Sequence, residues 1–254
     1  MAELLTGKVA IVTGAAHPRG IGRAIYNALS AHGATVVGSD LESAEGLTDI
    51  DGIGCDVTDP AQCARLIEIV QEKHGQLDVV VNNAGVGVGS GDFLKTTDRE
   101  WDISLAVNLR GPVNICRAAI PAMLESGGSI INVASLAGIG AMEAIPPCYT
   151  ASKFAVVGLT KQLSLQYAPN NIRVNALCPG SIVTQMHQGS MALLAEANNI
   201  TPEQAQQLEN ANIALGRSGQ PEEVGNSAVY LASDLASYVT GVALPVAGGM
   251  VPGL

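Results

Sequence analysis

Two side chains four residues apart carry the clearest chemical signal in the chain. Tyr149 and Lys153 lie on one face of a helix if residues 149–168 are helical, because that spacing is about one turn. A neighbouring ammonium favours a phenolate, so the pair predicts a general acid/base with a pKa lowered from about 10. An amphipathic tyrosine and a solvated lysine on an ordinary helix have the same spacing. Ser135 after the preceding apolar segment, and a glycine-rich turn upstream, favour the catalytic interpretation.

The glycine-rich turn follows the first apolar segment. The chain reads TGAAHPRGIG from Thr13 to Gly22, and this segment contains Gly14, Gly20 and Gly22. Glycines let the backbone approach a pyrophosphate closely, and a helix that begins near Ile21 offers free N–H groups to an anion. The same pattern occurs in ordinary strand-to-helix turns. Its position after the first predicted strand and before a helix favours a dinucleotide site.

Two charged residues, Asp40 and Arg19, affect whether NAD or NADP is the expected cofactor. Asp40 ends the second strand candidate, where a carboxylate accepts hydrogen bonds from the adenosine ribose and repels a 2′-phosphate. Arg19 has the opposite effect, since a guanidinium beside the turn can clasp that phosphate. We favour NAD over NADP, because a carboxylate in the phosphate position is the harder obstacle to remove. The alternative for Asp40 is a plain loop residue.

Short apolar segments alternate with longer amphipathic ones along the chain. Six segments are strand candidates: Val9–Thr13, 35–39, Val79–Asn82, 129–133, 173–177 and 241–245. Five segments are helix candidates: 22–32, Pro60–His74, 98–123, 149–168 and Pro221–Ala232. Strands separated by helices imply right-handed crossovers. The predicted fold class is α/β: one Rossmann domain over residues 1–254, with a doubly wound, mostly parallel sheet and helices on both faces.

Composition argues against several classes of protein. Of 254 residues, 47% are hydrophobic and 14% charged, which is typical of a folded core rather than a disordered chain. A net charge of −10 without a basic stripe argues against a nucleic-acid partner. Four histidines and five cysteines are scattered without metal-ligand or disulfide spacing, so we expect no metal site and reduced thiols.

The N-terminal sequence MAELLTGKVAIVTG does not fit a signal peptide, because it carries Glu3 early and lacks a basic region. No apolar stretch approaches the roughly 18 residues that cross a bilayer. We therefore expect a cytoplasmic protein without membrane contact.

Residues 184–215 depart from the alternating pattern. The segment is polar, helix-prone and follows a strand end, where α/β sheets bind ligands. We expect a lid over a small-molecule substrate, since long insertions there are usually functional; an exposed helical excursion is the alternative. His187 touches substrate if the segment is a lid, although a surface histidine is favoured. Five further side chains are candidates for an adaptable substrate pocket, with core packing or solvent exposure as alternatives: Met142, Glu143, Ile145, Met186 and Met191.

Together these residues resemble the short-chain dehydrogenase/reductase family over residues 8–249. The family's motifs occur in order. After the glycine turn come Asp56-Val57, Asn82-Asn83-Ala84-Gly85, Asn108, Ser135, Tyr149-Thr150-Ala151-Ser152-Lys153 and Pro179-Gly180. The resemblance implies an NAD(P)-dependent oxidoreductase that transfers a hydride between the nicotinamide and a secondary alcohol or ketone. It also implies an oligomer, commonly a homotetramer.

The resemblance implies a role for each matched residue. Tyr149 would exchange a proton with the substrate oxygen, Ser135 would hydrogen-bond that oxygen, and Lys153 would hold the nicotinamide ribose. Asn108 would position Lys153 through water. The cofactor would be bound by Gly14, Arg19, Gly20, Ile21, Gly22 and Asp40 at the turn, by Asp56, Val57, Asn82, Ala84 and Gly85 along the adenosine, by Tyr149 and Lys153, and by Pro179, Gly180, Ile182 and Thr184 at the nicotinamide.

Three features depart from the family pattern. Five residues separate Gly14 from Gly20 where three are usual, so the turn is longer and Arg19 is displaced from its usual reach. Ser135 and Tyr149 are one residue further apart than is commonest. Ala247 stands where many relatives carry aspartate, and nothing in the sequence explains that change.

Two other functions compete with a general alcohol dehydrogenase. An NADPH-dependent 3-oxoacyl carrier-protein reductase needs a basic patch for its acidic carrier, and both Asp40 and the net charge of −10 argue against one. A non-catalytic dinucleotide-binding sensor predicts damaged catalytic positions. Asn108, Ser135, Tyr149 and Lys153 are all present, so the sensor is the weakest of the three hypotheses.

Overall fold

A parallel sheet with the strand order β3-β2-β1-β4-β5-β6-β7 organises the computed structural model of the chain. The structure describes residues 3–252, so two residues at each end of the predicted domain lie outside the described residues. The strands are β1 (Val9–Thr13), β2 (Thr35–Asp40), β3 (Gly52–Gly54), β4 (Val79–Asn82), β5 (Gly128–Val133), β6 (Ile172–Pro179) and β7 (Ala243–Val246). The strand order reverses between β1 and β4, which opens a crevice at their carboxyl ends.

Helices cover both faces of this sheet. They are α1 (Ile21–Ala31), α2 (Pro60–His74), α3 (Asp98–Leu105), α4 (Gly111–Met123), α5 (Pro147–Tyr167), α6 (Gln185–Asn198), α7 (Pro202–Ala211) and α8 (Pro221–Ala232). Side chains of α1 and α8 pack on one face, and those of α2, α4 and α5 pack on the other. The predicted α/β fold class with a doubly wound sheet is confirmed.

The aliphatic composition explains the sheet. Every residue of β1 and β4 is buried, as parallel strands covered on both faces require. The core contains Val, Ile, Leu and Ala almost throughout, and all five cysteines are buried and free within it. Their burial favours packing over a redox role for each thiol.

Two elements differ from the predicted ones. β3 is the tripeptide Gly-Ile-Gly, which lacks an apolar run and so was absent from the six strand candidates. The predicted helix 98–123 is divided by a π-helical turn, Ala106–Arg110, between α3 and α4. Such wide turns change the direction of side chains and often occur at functional sites.

The segment 184–215 folds mainly as a helical hairpin. α6 ends at Asn198, and the next residue, Asn199, reverses the chain before α7 with a φ of 53°. Met191, Ala195 and Ala205 form a small apolar core between the two helices. The predicted helical character is therefore confirmed, and the hairpin has an interior of its own.

Among the residues that the structure describes, no helix is both long and apolar enough to cross a bilayer. Within the same residues, no three His, Cys, Asp or Glu side chains form a group that could hold a metal ion.

Candidate active site

The glycine turn packs directly against the end of β4. Gly14 has a φ of 68°, and a Cβ on it would lie 2.8 Å from the Ala84 Cα. A Cβ on Gly22 would overlap the Gly14 carbonyl oxygen and the Asn83 amide. The Asn83 amide donates to the carbonyls of Thr13 (2.9 Å) and Gly14 (3.0 Å). Glycine is therefore required at both positions, because any side chain would push the turn away from β4.

The N-terminus of α1 suits an anion. The helix begins at Ile21 after Gly20, with no side-chain cap and no acidic residue in its first turn. By contrast, Thr97 and Thr201 cap the N-termini of α3 and α7. Since the first N–H groups of a helix need an acceptor, the uncapped end beside the glycine turn fits the pyrophosphate of a dinucleotide.

Acidic side chains lie at the ends of β2 and β3. Asp40 accepts hydrogen bonds from the N–H groups of Ala16 (3.0 Å) and Leu41 (2.9 Å). The Glu42 carboxylate lies against Gly54, which pairs with Asp40 across the two strands. Two carboxylates thus lie close together at the ends of β2 and β3. Arg19 is exposed, and its backbone N–H donates to the His17 ring at 3.2 Å.

The predicted adenine-binding residues, Asp56 and Val57, follow β3. Asp56 accepts hydrogen bonds from the N–H (2.9 Å) and the hydroxyl (2.7 Å) of Thr58. Val57 is buried, and a Cβ on Gly111 would lie 2.8 Å from one of its methyl carbons. These contacts fix Asp56 and Val57 at the mouth of the crevice.

Asn82 and Asn83 make contacts in different places. The Asn82 amide is buried and donates to Asn132 on β5 at 2.8 Å, so it braces the sheet from within. Asn83 reaches the glycine turn, and the N–H of Ala84 donates to the Thr13 hydroxyl at 3.1 Å. The period of two along an extended strand points adjacent side chains to opposite sides, which explains the difference.

Tyr149, Ser135 and Lys153 meet beyond the end of β5. The Ser135 side chain interacts with that of Tyr149, and its hydroxyl also accepts the N–H of Ala137 at 3.1 Å. Tyr149 lies in the first turn of α5, and Lys153 follows one turn later, with its Nζ 5.6 Å from the tyrosine ring centroid. The Lys153 ammonium donates to the Val133 carbonyl at 3.0 Å. The end of β5 and the first turns of α5 thus bring these three side chains together.

Burial changes the ionisation of both groups. Burial raises the pKa of Tyr149, and the interaction with Ser135 offsets this increase only in part. Burial also lowers the pKa of Lys153 to about 8. In the chain alone the tyrosine pKa is therefore raised, not lowered as expected, because the cost of removing a phenolate from water exceeds the lowering by Ser135.

Asn108 lies in the π-helical turn, and both the nitrogen and the oxygen of its side-chain amide form hydrogen bonds. Its Nδ2 donates to the Val86 carbonyl (3.0 Å) and the Ser152 hydroxyl (3.1 Å), and its Oδ1 accepts the Val86 N–H at 2.8 Å. A Cβ on Gly85 would lie 3.2 Å from the Asn108 Oδ1 and 3.5 Å from the Lys153 Nζ. Asn108 therefore ties the loop after β4 to α5, close to the lysine that it was expected to position.

The nicotinamide end of the predicted site comes from the end of β6. The Gly180 N–H donates to the Val246 carbonyl at 3.1 Å, and a Cβ on Gly180 would lie 2.8 Å from Ala247. Thr184 caps α6 by accepting the His187 N–H at 3.2 Å. Pro179 and Ile182 are both buried, and Ile182 packs in the core beneath α8. Ile182 thus supports this corner from below rather than presenting its side chain to a ligand.

A cleft of about 480 Å³ lies between α6 and Gly87 in the loop after β4. The Met186 sulfur would lie 3.3 Å from a Cβ on Gly87, and Leu193 and Glu196 also line the cleft. Met191 does not line it: the side chain packs in the hairpin's own core, because the period of the helix turns it away from Met186.

The other pocket candidates lie in the loop before α5. Met142 and Ile145 are half-buried, and Glu143 is exposed. Cys148, next to Tyr149, is buried and donates to the Val88 carbonyl at 3.3 Å, as expected for a packing residue.

His187 is not a surface residue. Its Nε2 lies 2.6 Å from a Glu209 carboxylate oxygen, and the Ser181 hydroxyl donates to the same oxygen at 2.6 Å. The Gln206 amide donates to this oxygen at 3.2 Å and to the Ser218 hydroxyl at 2.8 Å. Ser181 and Glu209 contact the same histidine nitrogen, so the group lacks the relay geometry of a nucleophilic triad. It fastens α6 and α7 to the corner after Gly180.

Residues 14–251 match a sequence family described as enoyl-(acyl carrier protein) reductase. This chain belongs to the short-chain dehydrogenase/reductase family. It is 38% identical to 3-oxoacyl-[acyl-carrier-protein] reductase FabG of Thermotoga maritima, over 97% of this chain and 99% of that protein. It is 41% identical to the 3-alpha-(or 20-beta)-hydroxysteroid dehydrogenase of Mycobacterium tuberculosis, over 100% and 93%.

Solved structures agree with the family assignment. The aldohexose dehydrogenase of Thermoplasma acidophilum superposes with a TM-score of 0.90 at 35% identity, over 98% of this chain and 96% of that one. This short-chain dehydrogenase/reductase is therefore an oxidoreductase that acts on alcohol or ketone groups with a nicotinamide cofactor.

Two residues of the site escaped the sequence analysis. Asn83 was included only as a neighbour of Asn82, although its amide makes the contact with the glycine turn. Arg23 is buried beneath that turn, where a charged residue on an amphipathic helix would be expected to face solvent. The position of Arg23 three residues after Gly20 does not reveal that its guanidinium is buried against the glycine turn.

Proposed function

We propose that the protein is an NAD(H)-dependent dehydrogenase/reductase of an apolar secondary alcohol or ketone, with Tyr149 as its acid/base. The observation that carries the proposal is the meeting of Tyr149, Ser135 and Lys153 at the carboxyl end of β5, next to a glycine turn shaped for a dinucleotide. A sensor would not need the tyrosine, serine and lysine to converge at one point.

The chain supplies the proton chemistry. Because burial raises its pKa, Tyr149 carries its proton at neutral pH and can give it to a carbonyl oxygen. Ser135 hydrogen-bonds the same oxygen and stabilises the negative charge that develops on it. Lys153 is charged below its pKa of about 8 and supports the phenolate as the proton leaves. The nicotinamide, when bound, supplies or accepts the hydride.

The roles of the cofactor residues follow from the same geometry. Gly14, Gly20, Ile21 and Gly22 would hold the pyrophosphate at the N-terminus of α1, with Asp56 and Val57 along the adenine and Gly85, Gly180 and Thr184 toward the nicotinamide. Asp40 and Glu42 favour NAD, since a 2′-phosphate would meet two carboxylates at the ends of β2 and β3. The exposed Arg19 is the only opposing group that we assign among the described residues.

The α6–α7 hairpin is proposed as the substrate lid. Met186 and Leu193 expose 52% and 69% of their surface at the cleft, and an apolar substrate would cover them. The hydroxysteroid dehydrogenase relative supports a substrate of this kind. We further propose a cytoplasmic homotetramer. The exposed Phe154 and Leu165 on α5 provide an apolar face for its assembly.

The substitution Tyr149→Phe tests the catalytic assignment. We expect turnover to fall by at least about 10³-fold, because the acid/base is lost while the ring remains to fill its space. Steady-state rates with a panel of apolar secondary alcohols and ketones measure the effect. NADH affinity should not change. Tyr167→Phe, on the same helix, is the matched control and should keep wild-type rates. Comparable rates in the two variants would refute the role of Tyr149.

The substitution Asp40→Ala tests the cofactor preference. Fluorescence titration of the wild type should give tighter binding of NADH than of NADPH, and the variant should narrow the gap by about 10-fold through loss of ribose hydrogen bonds and of repulsion. Glu45→Ala removes an exposed charge from the same loop and is the control. An unchanged ratio of dissociation constants in Asp40→Ala would show that another residue sets the preference.

A carrier-protein reductase is the second candidate, because FabG is 38% identical over nearly the whole chain. It predicts faster reduction of a 3-oxoacyl group on its carrier protein than of the same group on a short thiol, with NADPH. Equal rates with both substrates would favour the free ketone.

A further inference from the structure

Arg23 is a buried cation whose hydrogen bonds go to backbone carbonyls. It lies in the first turn of α1 and is 8% exposed. Its Nε donates to the Ala15 carbonyl at 2.9 Å, and its Nη2 donates to the carbonyls of Ala16 and Gly46, both at 2.6 Å. Burying a guanidinium is costly, and three short charge-assisted hydrogen bonds are what make the arrangement stable.

These carbonyls belong to two different loops. Ala15 and Ala16 lie in the glycine turn, and Gly46 lies between β2 and β3. Gly46 has a φ of 83°, and a Cβ on it would lie 3.3 Å from the Arg23 Nη2. One planar guanidinium therefore clamps the glycine turn to the loop that follows Asp40. A lysine would supply the charge without the fork that spans two loops.

Asp40 lies between the clamped segments. The carbonyl of Ala16 accepts from Arg23, and the N–H of the same residue donates to the Asp40 carboxylate at 3.0 Å. Ala16 is thus held by a cation on one side and by an anion on the other. The turn carries two more residues than is usual, and a longer loop has more conformations to restrict. The clamp on Ala15 and Ala16 restricts this additional length.

We propose that Arg23 is a positioning residue for cofactor selection, which holds Ala16 and Gly46 so that the Asp40 carboxylate faces the adenosine ribose. The inference rests on the proposed function in that it takes Asp40 as the residue that discriminates NAD from NADP. Arg23 is not itself a phosphate ligand, because binding a 2′-phosphate would require the guanidinium to release carbonyls that it holds at 2.6 Å.

A double-mutant cycle tests the proposal on the intact protein. NADH and NADPH dissociation constants are measured by fluorescence titration for the wild type, Asp40→Ala, Arg23→Met and the double variant. We expect Arg23→Met to reduce the preference for NADH by about 10-fold. The double variant should have the same ratio of NADPH to NADH dissociation constants as Asp40→Ala alone, because both changes act through the Asp40 carboxylate. Arg23→Lys should retain only part of the preference.

Two results would overturn the proposal. The first is an equal loss of affinity for both dinucleotides in Arg23→Met, which describes a merely structural residue. The second is an additive effect in the double variant, which describes independent action. If Arg23→Met does not fold, Gly46→Ala strains the same clamp from the other loop and must lower the same ratio for the proposal to stand.

The titration of the wild type alone tests the proposed preference for NAD, separately from the role of Arg23. Tighter binding of NADPH by the wild type would refute the NAD assignment. The role of Arg23 would then be judged on whether Arg23→Met and Asp40→Ala change the ratio by the same factor, alone and together.

Discussion

The two sides of the crevice are held together by different kinds of hydrogen bond. On the cofactor side, Asn83 and Arg23 donate to backbone carbonyls of the glycine turn. On the lid side, the hydrogen bonds join side chains, and several converge on one carboxylate oxygen of Glu209. Carbonyls do not titrate, whereas carboxylates and imidazoles do.

The same contrast extends to packing. The glycine turn leaves no room for a Cβ at Gly14 or Gly22. The α6–α7 hairpin has a small core of its own, and Met186 and Leu193 remain exposed. If the hairpin is the lid that we propose, a close-packed cofactor side next to a hairpin held mainly by side-chain hydrogen bonds would let the substrate side open while the dinucleotide stays aligned.

Of the changes that compare the two sides of the crevice, the one with the largest expected effect is on the cofactor side. Gly22→Ala places a methyl group against the Gly14 carbonyl and the Asn83 amide, so the turn must move. We expect NADH affinity to fall by at least about 100-fold, because overpacking there displaces the pyrophosphate site. Gly158→Ala is the matched control, since that helical glycine has open space around it. Equal NADH affinities in the two variants, measured by titration, would mean that the cofactor side is not rigid.

Lys153 lies between the two sides, and its burial has a measurable cost. Its pKa of about 8 in the folded chain is below the ordinary 10.5, so the folded state binds fewer protons between these pH values and stability rises with pH there. We expect Lys153→Met to be more stable than the wild type at pH 7, by about 1–3 kcal/mol after loss of the Val133 hydrogen bond.

Urea denaturation at pH 7 and pH 9.5 measures this difference. The advantage of Lys153→Met should shrink at the higher pH, where the wild-type lysine loses its charge, while its turnover should be negligible at both. A stability difference that does not change with pH would contradict the assignment of the cost to the buried cation.

The smallest effect is expected on the lid side. Glu209→Gln keeps the shape but weakens the hydrogen bonds from Ser181 and His187, so the lid should dock less often and KM should rise by about 10-fold. The NADH dissociation constant should stay unchanged. Glu203→Gln, exposed on the same helix, is the control. A parallel loss of NADH affinity in Glu209→Gln would erase the distinction between the two sides.

The contribution of the Glu209 carboxylate to holding the hairpin also depends on pH. Burial raises the pKa of Glu209, but hydrogen bonds and charge from His187 and Ser181 outweigh it and hold the pKa below the ordinary 4.5. The docking it provides is therefore present above pH 4.5 and is lost as the pH falls through the lowered pKa.

The sequence predicted what depends on local pattern. Aliphatic runs separated by amphipathic segments predicted the α/β class, and four-residue spacing placed Tyr149 and Lys153 on one helix face. It did not predict features that depend on tertiary packing. The inward turn of Arg23, the use of Asn83 and the burial of Met191 follow from which neighbours surround each side chain. The pKa of Tyr149 is likewise set by burial, which spacing does not reveal.

The five buried cysteines can serve as probes of local unfolding, because each must become exposed before a reagent can label it. All five thiols are shielded from alkylating reagents by burial. Burial also raises the pKa of Cys116 to about 12 and that of Cys178 to about 11, so these two side chains present almost no thiolate in the folded protein. Labelling therefore proceeds through molecules that have transiently opened. Cys63 lies on the buried face of α2, and Cys148 lies beside Tyr149. The order in which mass spectrometry finds them labelled would show whether the crevice opens before the sheet does.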